Sequence, residues 1–162
     1  MSAAQRRKGK RAELDAVRAI HEATGWPVAR ALREGRRADA GDIVGCPDWC
    51  VQVKAYATVA ESVQRGMAVI DRQQAAAGCR WGVVLVRLVG GRFLAVMHEL
   101  QWHALVDGEV GPPTRYGDLL VAVADGTTVI MRRPGGRTLA VMTLERWAEI
   151  ALAVEAAGVG GS

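Results

Sequence analysis

Cysteine is scarce in this chain: three residues in 162, Cys46, Cys50 and Cys79. An odd and sparse set excludes a disulfide framework. It points to a reduced, cytoplasmic setting. No apolar run approaches the roughly 20 residues of a membrane-spanning helix. The basic N-terminus has no apolar stretch behind it, so no signal peptide is expected. Several chemistries are also missing. There is no Gly-Lys-Ser/Thr loop and no Ser/His/Asp set. Cys46-x3-Cys50 lacks a second ligand pair at zinc spacing. His21, His98 and His103 are scattered. Gly90-Gly91 and Gly135-Gly136 read as hairpin turns, because neither opens a helix that would hold a phosphate.

What is present is a chain long enough for one domain with a sizeable core, half of it apolar. The charge is unevenly placed. Residues 1–40 hold ten Lys/Arg against five Asp/Glu, and residues 41–162 hold eleven against twelve. The whole net charge of +4 therefore arises in the first quarter. A basic run of this kind suits a polyanionic partner, since each neutralised phosphate releases condensed counterions. Read alone, it equally fits a solvated tail.

One short segment carries chemistry: Cys50-Val51-Gln52-Val53-Lys54, ten residues after Gly41-Asp42-Ile43. Side chains alternate along a strand, so Gln52 and Lys54 share one face while Val51 and Val53 take the other. An oxygen ligand and a lysine thus project together, with the carboxylate of Asp42 on the preceding segment. This is the skeleton of a metal-dependent phosphodiesterase site, with a neutral amide where a second carboxylate is expected. Mg²⁺ or Mn²⁺ held by Asp42, the Gln52 side-chain oxygen and the Val53 backbone O would neutralise phosphate charge. Lys54 would serve the attacking water or the charged transition state.

The surrounding pattern predicts alternating helices and strands. A helix is expected from about Lys8 to Ala23, stopped by Gly25 and Pro27. On it Glu13, Val17 and Ile20 form one stripe, which sets a carboxylate at the edge of a buried face. Glu13 either assists the site, as a metal or water ligand, or pairs with Arg6 or Lys10. Strands are expected at Trp26–Leu32, Gly41–Val44 and Trp49–Ala55. A polar loop, Arg33–Ala40, carries Arg33, Arg36 and Arg37. Gly45-Cys46-Pro47-Asp48 reads as a turn. Thr58-Val59-Ala60-Glu61 is a capping box opening a helix to about Ala77, with Val59, Val63, Met67, Ile70 and Gln74 on its buried side and Gly78 as its stop. Gln73, on this helix, is a weaker candidate for the site. Trp81–Leu88, continuously apolar, suits a strand buried on both faces.

Beyond residue 90 the chain repeats itself. Gly90-Gly91-Arg92-Phe93-Leu94-Ala95-Val96-Met97, followed by Trp102, recurs 45 residues later as Gly135-Gly136-Arg137-Thr138-Leu139-Ala140-Val141-Met142, followed by Trp147. Each copy, Val83–Leu105 and Thr128–Val154, reads strand, turn, strand, helix. Duplication and two convergent hairpins explain the pattern equally well. Residues 91–157 are expected to form a hairpin-and-helix extension of a core at 1–90, within a single domain, and 158–162 a disordered tail.

These features resemble the PD-(D/E)XK nuclease superfamily, and within it the small Holliday junction resolvase-like nucleases of archaea and phages. Arg7-Lys8-Gly9-Lys10-Arg11-Ala12-Glu13-Leu14 is similar to their Lys-Gly-x-x-x-Glu start. Asp39-Ala40-Gly41-Asp42-Ile43 is similar to their Gly-Asp-Ile strand, and Val51-Gln52-Val53-Lys54 stands in place of Val-Glu-Val-Lys. The resemblance spans about residues 6–90. It implies an α/β, restriction-endonuclease-like fold: a mixed central sheet flanked by helices. It also implies divalent-metal-dependent cleavage of branched or duplex DNA by a homodimer. Arg6, Arg7, Lys8, Lys10 and Arg11, with Arg33, Arg36 and Arg37, would grip the DNA backbone. Gln52 departs from the pattern. It leaves three outcomes: a weaker site that prefers Mn²⁺, compensation by Asp39 or Asp48, or DNA binding without cleavage.

Overall fold

The computed structural model describes residues 2–32, 40–106, 119–133 and 136–158, the side chain of Leu120 excepted. The chain is mixed α/β. One seven-stranded mixed sheet, in the order β1-β2-β3-β4-β5-β7-β6, lies between two layers of helices.

Helix α1, Ala3–Thr24, starts five residues before the expected Lys8. Ser2 explains the difference. Its Oγ accepts from the Gln5 N–H at 3.2 Å, and Gln5 Oε1 accepts from the Ser2 N–H at 2.8 Å. This is a reciprocal capping box. Gly25, at φ 74°, ends the helix as expected. Strand β1 shrinks to Ala29–Arg30. Pro27 has no N–H for a ladder, and the Trp26 N–H is taken by Thr24 Oγ1 at 3.1 Å. Strands β2 (Ile43–Val44) and β3 (Trp49–Lys54) form an antiparallel pair.

The single helix expected at 58–77 is two, α2 (Val59–Met67) and α3 (Ile70–Ala77). The Val69 N–H donates to the Gly66 carbonyl at 3.2 Å, a tightened last turn that breaks the run. β4 (Trp81–Arg87) then runs parallel to β3, paired from Trp49↔Trp81 to Lys54↔Val86. Its side chains enter both cores, Val83 and Leu85 on one face and Val84 and Val86 on the other.

β4 turns through a 3-10 turn at Val89–Gly91 into β5 (Phe93–His98), followed by α4 (Glu99–Leu105). After α5 (Leu119–Ala122) come β6 (Val129–Met131), β7 (Leu139–Thr143) and α6 (Leu144–Ala156). The repeat is a structural unit with an internal two-fold. β5 and β7 pair antiparallel, and Val96 faces Val141, its own counterpart in the repeat. Leu94↔Thr143 is matched by His98↔Leu139. Val84↔Val96, Leu85↔Ala95 and Val86↔Leu94 recur as Val129↔Val141, Ile130↔Ala140 and Met131↔Leu139. The two copies therefore keep the same register, residue by residue, which two unrelated hairpins would not require. Gly135, in the second turn, and the tail at 159–162 lie outside the described residues.

Helices α1, α4 and α6 pack on one face of the sheet with Val51, Val53, Val83 and Leu85. Helices α2, α3 and α5 pack on the other with Cys50, Val84 and Val86. Both clusters draw residues from before and after residue 90. Among the described residues, no helix is long and apolar enough to cross a membrane.

Candidate active site

The site is built where β2 and β3 meet beneath α2 and α3. Gly41, at φ 97°, turns the chain into β2 so closely over β3 that an added Cβ would stand 2.9 Å from the Val51 carbonyl oxygen. The Asp42 N–H donates to that same carbonyl at 2.8 Å. Ile43, paired with Val51, belongs to the α1-side core. By alternation Asp42 takes the opposite face, the one shared by Gln52 and Lys54.

Asp42 is 4% exposed and Gln52 1%. Asp42 Oδ2 accepts from the Val53 N–H at 2.9 Å, and Gln52 Nε2 donates to the same oxygen in a short hydrogen bond. Gln52 Oε1 is buried and has no hydrogen-bond partner among the described residues. Gln73, on the sheet-facing side of α3, is 2% exposed and its Oε1 is in the same condition. Buried acceptors left without a donor are rare and costly, about 1–3 kcal/mol each. The Gln52 oxygen, in a side chain bonded to the Asp42 carboxylate, is chemically suited to a hard cation, and Gln73 Oε1 lies in the same helix-covered layer. No three His, Cys, Asp or Glu side chains converge on a metal position among the described residues.

Lys54 is half-buried, its stem against α2. Gly66 makes that approach possible. A Cβ there would meet Val84 Cγ1 at 2.4 Å and Lys54 Cγ at 3.3 Å. Gly66→Ala should therefore lift α2 from the sheet and displace Lys54. The cost of overpacking is about 1–3 kcal/mol, read as a melting temperature lowered by about 2–4 °C per kcal/mol. An unchanged melt would show that α2 can slide without strain.

Glu13 lies elsewhere. It sits on α1, on the opposite face of the sheet, and accepts from Arg30 Nη1 at 3.1 Å. Arg30 pairs with Ile43, which fixes the face. Helix spacing had suggested Arg6 or Lys10 for this ion pair, and packing against β1 supplies Arg30. Asp48, at φ 61°, accepts from the Arg80 N–H at 2.8 Å and lies 3.7 Å from its guanidinium, holding the entries of β3 and β4 together. Arg33, Arg36, Arg37 and Asp39 lie outside the described residues. No protein-family model, curated protein or solved structure matches the chain.

Lys8 is placed where the sequence alone could not put it. Its Nζ donates to the Tyr56 carbonyl at 3.5 Å, two residues beyond Lys54. The basic start of α1 therefore stands at the exit of the strand that bears the lysine. A separate cleft of about 500 Å³, lined by Arg11, Asp15, Arg18, Glu22 and Arg87, runs along α1 on the far side of the sheet. Its floor is an ion pair, Arg87 to Asp15 at 2.7 Å, which ties α1 to the first hairpin. That cleft touches none of Asp42, Gln52 or Lys54.

The three cysteines are free thiols. Burial, then the nearby Cys79 and Cys50, pushes the Cys46 thiol up to about 12. A buried thiol held in its protonated form is a poor nucleophile. Because folding raises this group, the native state keeps its proton where the unfolded chain loses it. Stability should be intact below about pH 9 and fall as pH rises toward 12. Cys46→Ala should flatten that alkaline limb in pH-resolved denaturant melts.

Proposed function

We infer that this chain is a divalent-metal-dependent DNA endonuclease of the Holliday junction resolvase-like type, on a restriction-endonuclease-like fold. One observation carries the reading: Asp42, Gln52 and Lys54 occupy one face of adjacent strands, with the Gln52 amide bonded to the Asp42 carboxylate and its buried Oε1 without a hydrogen-bond partner among the described residues. The element order supports it: a helix, three antiparallel strands, a helical crossover, then a parallel buried strand.

Asp42, Gln52 Oε1 and the Val53 carbonyl oxygen are the groups that would hold Mg²⁺ or Mn²⁺, and Gln73 Oε1 faces the same layer. The ion, when bound, supplies Lewis-acid neutralisation of the phosphate. Gln52 presents Nε2 to Asp42, so ligation through its oxygen requires the amide to turn over. Lys54, desolvated along its stem by α2, orients the attacking water and stabilises charge developing on the phosphate. Glu13, paired with Arg30, steadies α1 rather than reaching this face. Lys8, with Arg6, Arg7 and Lys10 of the same helix start, would bring positive charge to the strand exit, suited to branched or duplex DNA, whereas Arg11 lines the separate cleft. A homodimer would present two such sites.

A second reading has its own support. The Gln52–Asp42 hydrogen bond satisfies the carboxylate without an ion, as in a scaffold that binds DNA but does not cut it. A nicking assay separates the two, using branched, duplex and single-stranded DNA, with RNA as control, in Mg²⁺ and in Mn²⁺. Metal-dependent cleavage is expected, stronger in Mn²⁺. It should fall by about 10²–10³-fold or more in Asp42→Ala and Lys54→Ala, the scale seen when a transition-state stabilising group is removed. Cleavage that survives both substitutions would falsify the site. Salt-sensitive binding with no cleavage of any substrate establishes the second reading.

A further inference from the structure

Every described aromatic side chain but one is buried. Trp26, Trp49, Trp81, Phe93, Trp102 and Trp147 all belong to the α1-side core. Tyr56 is 38% exposed. It follows Lys54 by two residues, where β3 leaves the sheet. Its backbone is pinned: the N–H donates to Ser62 Oγ at 3.0 Å, and that hydroxyl donates to the Thr58 carbonyl at 3.0 Å. Its carbonyl accepts from Lys8 Nζ at 3.5 Å. The Arg65 guanidinium lies over the ring, 4.8 Å from the centroid, and is itself held by Glu61 at 3.0 Å. The half-exposed residue thus carries Arg65 of α2 over its ring and Lys8 of α1 on its backbone carbonyl.

We propose that Tyr56 is a stacking platform for an unpaired nucleobase, with Arg65 backing the ring and Lys8 taking a phosphate of the same strand. Positive charge from Lys8 beside the residue suits a polyanion, and a ring 38% exposed and backed by Arg65 suits a flat ring that is not already stacked. Single-stranded DNA and the open centre of a branched duplex offer both, whereas an intact duplex hides its base faces. The pinned backbone lowers the entropy lost on binding. Arg65, already over the ring, is positioned to extend the stack by a cation–π contact. Tyr56 then biases the protein toward DNA with unpaired bases at the point nearest Lys54.

The proposal rests on the nucleic-acid reading of the Asp42–Lys54 site, so the test is made in EDTA, where cleavage plays no part. Binding is measured on a forked or branched DNA carrying 2-aminopurine at the unpaired position, on single-stranded DNA and on blunt duplex. Tyr56→Ala should weaken fork and single-strand binding by about 5- to 150-fold, the equivalent of one lost base stack. Duplex binding should change less than about two-fold, and Tyr56→Phe should keep the wild-type preference. The wild-type protein should alter 2-aminopurine fluorescence and Tyr56→Ala should not. Equal losses on fork and duplex, or fluorescence changes that persist in Tyr56→Ala, overturn the platform while leaving the nuclease reading standing. If the wild-type protein binds none of the three DNAs, the nuclease reading falls as well.

Discussion

Gln52→Glu is expected to make the stability of this protein depend on divalent metal. In the wild type, Gln52 Nε2 donates to Asp42 inside a nearly closed site, the two residues 1% and 4% exposed. Glutamate removes that donor and places a second buried carboxylate against the first. Like charges this close share a proton, so the pair titrates as a unit with one carboxyl raised. In EDTA near neutral pH the variant should lose at least the about 1–3 kcal/mol of an orphaned buried acceptor. The loss should shrink as pH falls, because protonating the raised carboxyl restores a donor. Mn²⁺ or Mg²⁺ should reverse it, adding about 2.7 kcal/mol at a hundredfold excess over the dissociation constant. Cleavage should rise by about tenfold or more, since two carboxylates hold the ion more tightly than one. Thermal melts in EDTA and in each metal, beside the nicking assay, read both effects. Melts of the variant that ignore metal at every pH would remove Asp42 and position 52 from any metal site.

Trp147→Ala should produce the largest loss of stability. The side chain is fully buried and joins three elements. It stands edge-on to Trp49 of β3 at 5.4 Å and to Trp26, just beyond α1, at 6.3 Å. Truncating a buried tryptophan costs about 3–5 kcal/mol, and edge-to-face pairs add about 0.5–1.5 kcal/mol beyond their area. Domains of this kind are stable by only about 5–15 kcal/mol, so a large fraction is lost. The melting temperature should fall by about 6–20 °C. Trp102, its counterpart in the repeat, is equally buried but meets only His103 among described rings, at 4.9 Å. Trp102→Ala should cost less. Both variants should still unfold in one transition, because one hydrophobic cluster runs from α1 to α6. A separate early transition of residues 91–157 in Trp147→Ala would show that the halves are not joined in this way.

Much of the local structure was legible. The alternation in Val51–Lys54 set the valines against α1 and turned Gln52 and Lys54 away, as side-chain periodicity requires. Thr58 caps its helix by accepting from the Glu61 N–H at 3.1 Å, the first half of the expected capping box, while the Glu61 carboxylate turns to Arg65. Trp81–Arg87 is buried on both faces, as an unbroken apolar run suggests. Ser2-x-x-Gln5 carried a start signal for α1 that the apolar pattern, beginning later, concealed. The break between α2 and α3 had no local marker, since no Pro or side-chain cap announces it.

The chain's sequence by itself determined the faces of β3 and β4, the unequal charge, and the 45-residue repeat. These depend on periodicity and composition, which act within a few residues. The tertiary structure alone decided which polar groups meet. It gave Glu13 to Arg30 and Arg87 to Asp15, across 17 and 72 residues of sequence. It set Lys8 beside Tyr56, turned the Gln52 amide nitrogen toward Asp42, and folded the repeat about Val96 and Val141. Such pairings follow from how sheets and helices stack, since a buried polar group takes the partner that packing brings within reach, whatever its distance along the chain.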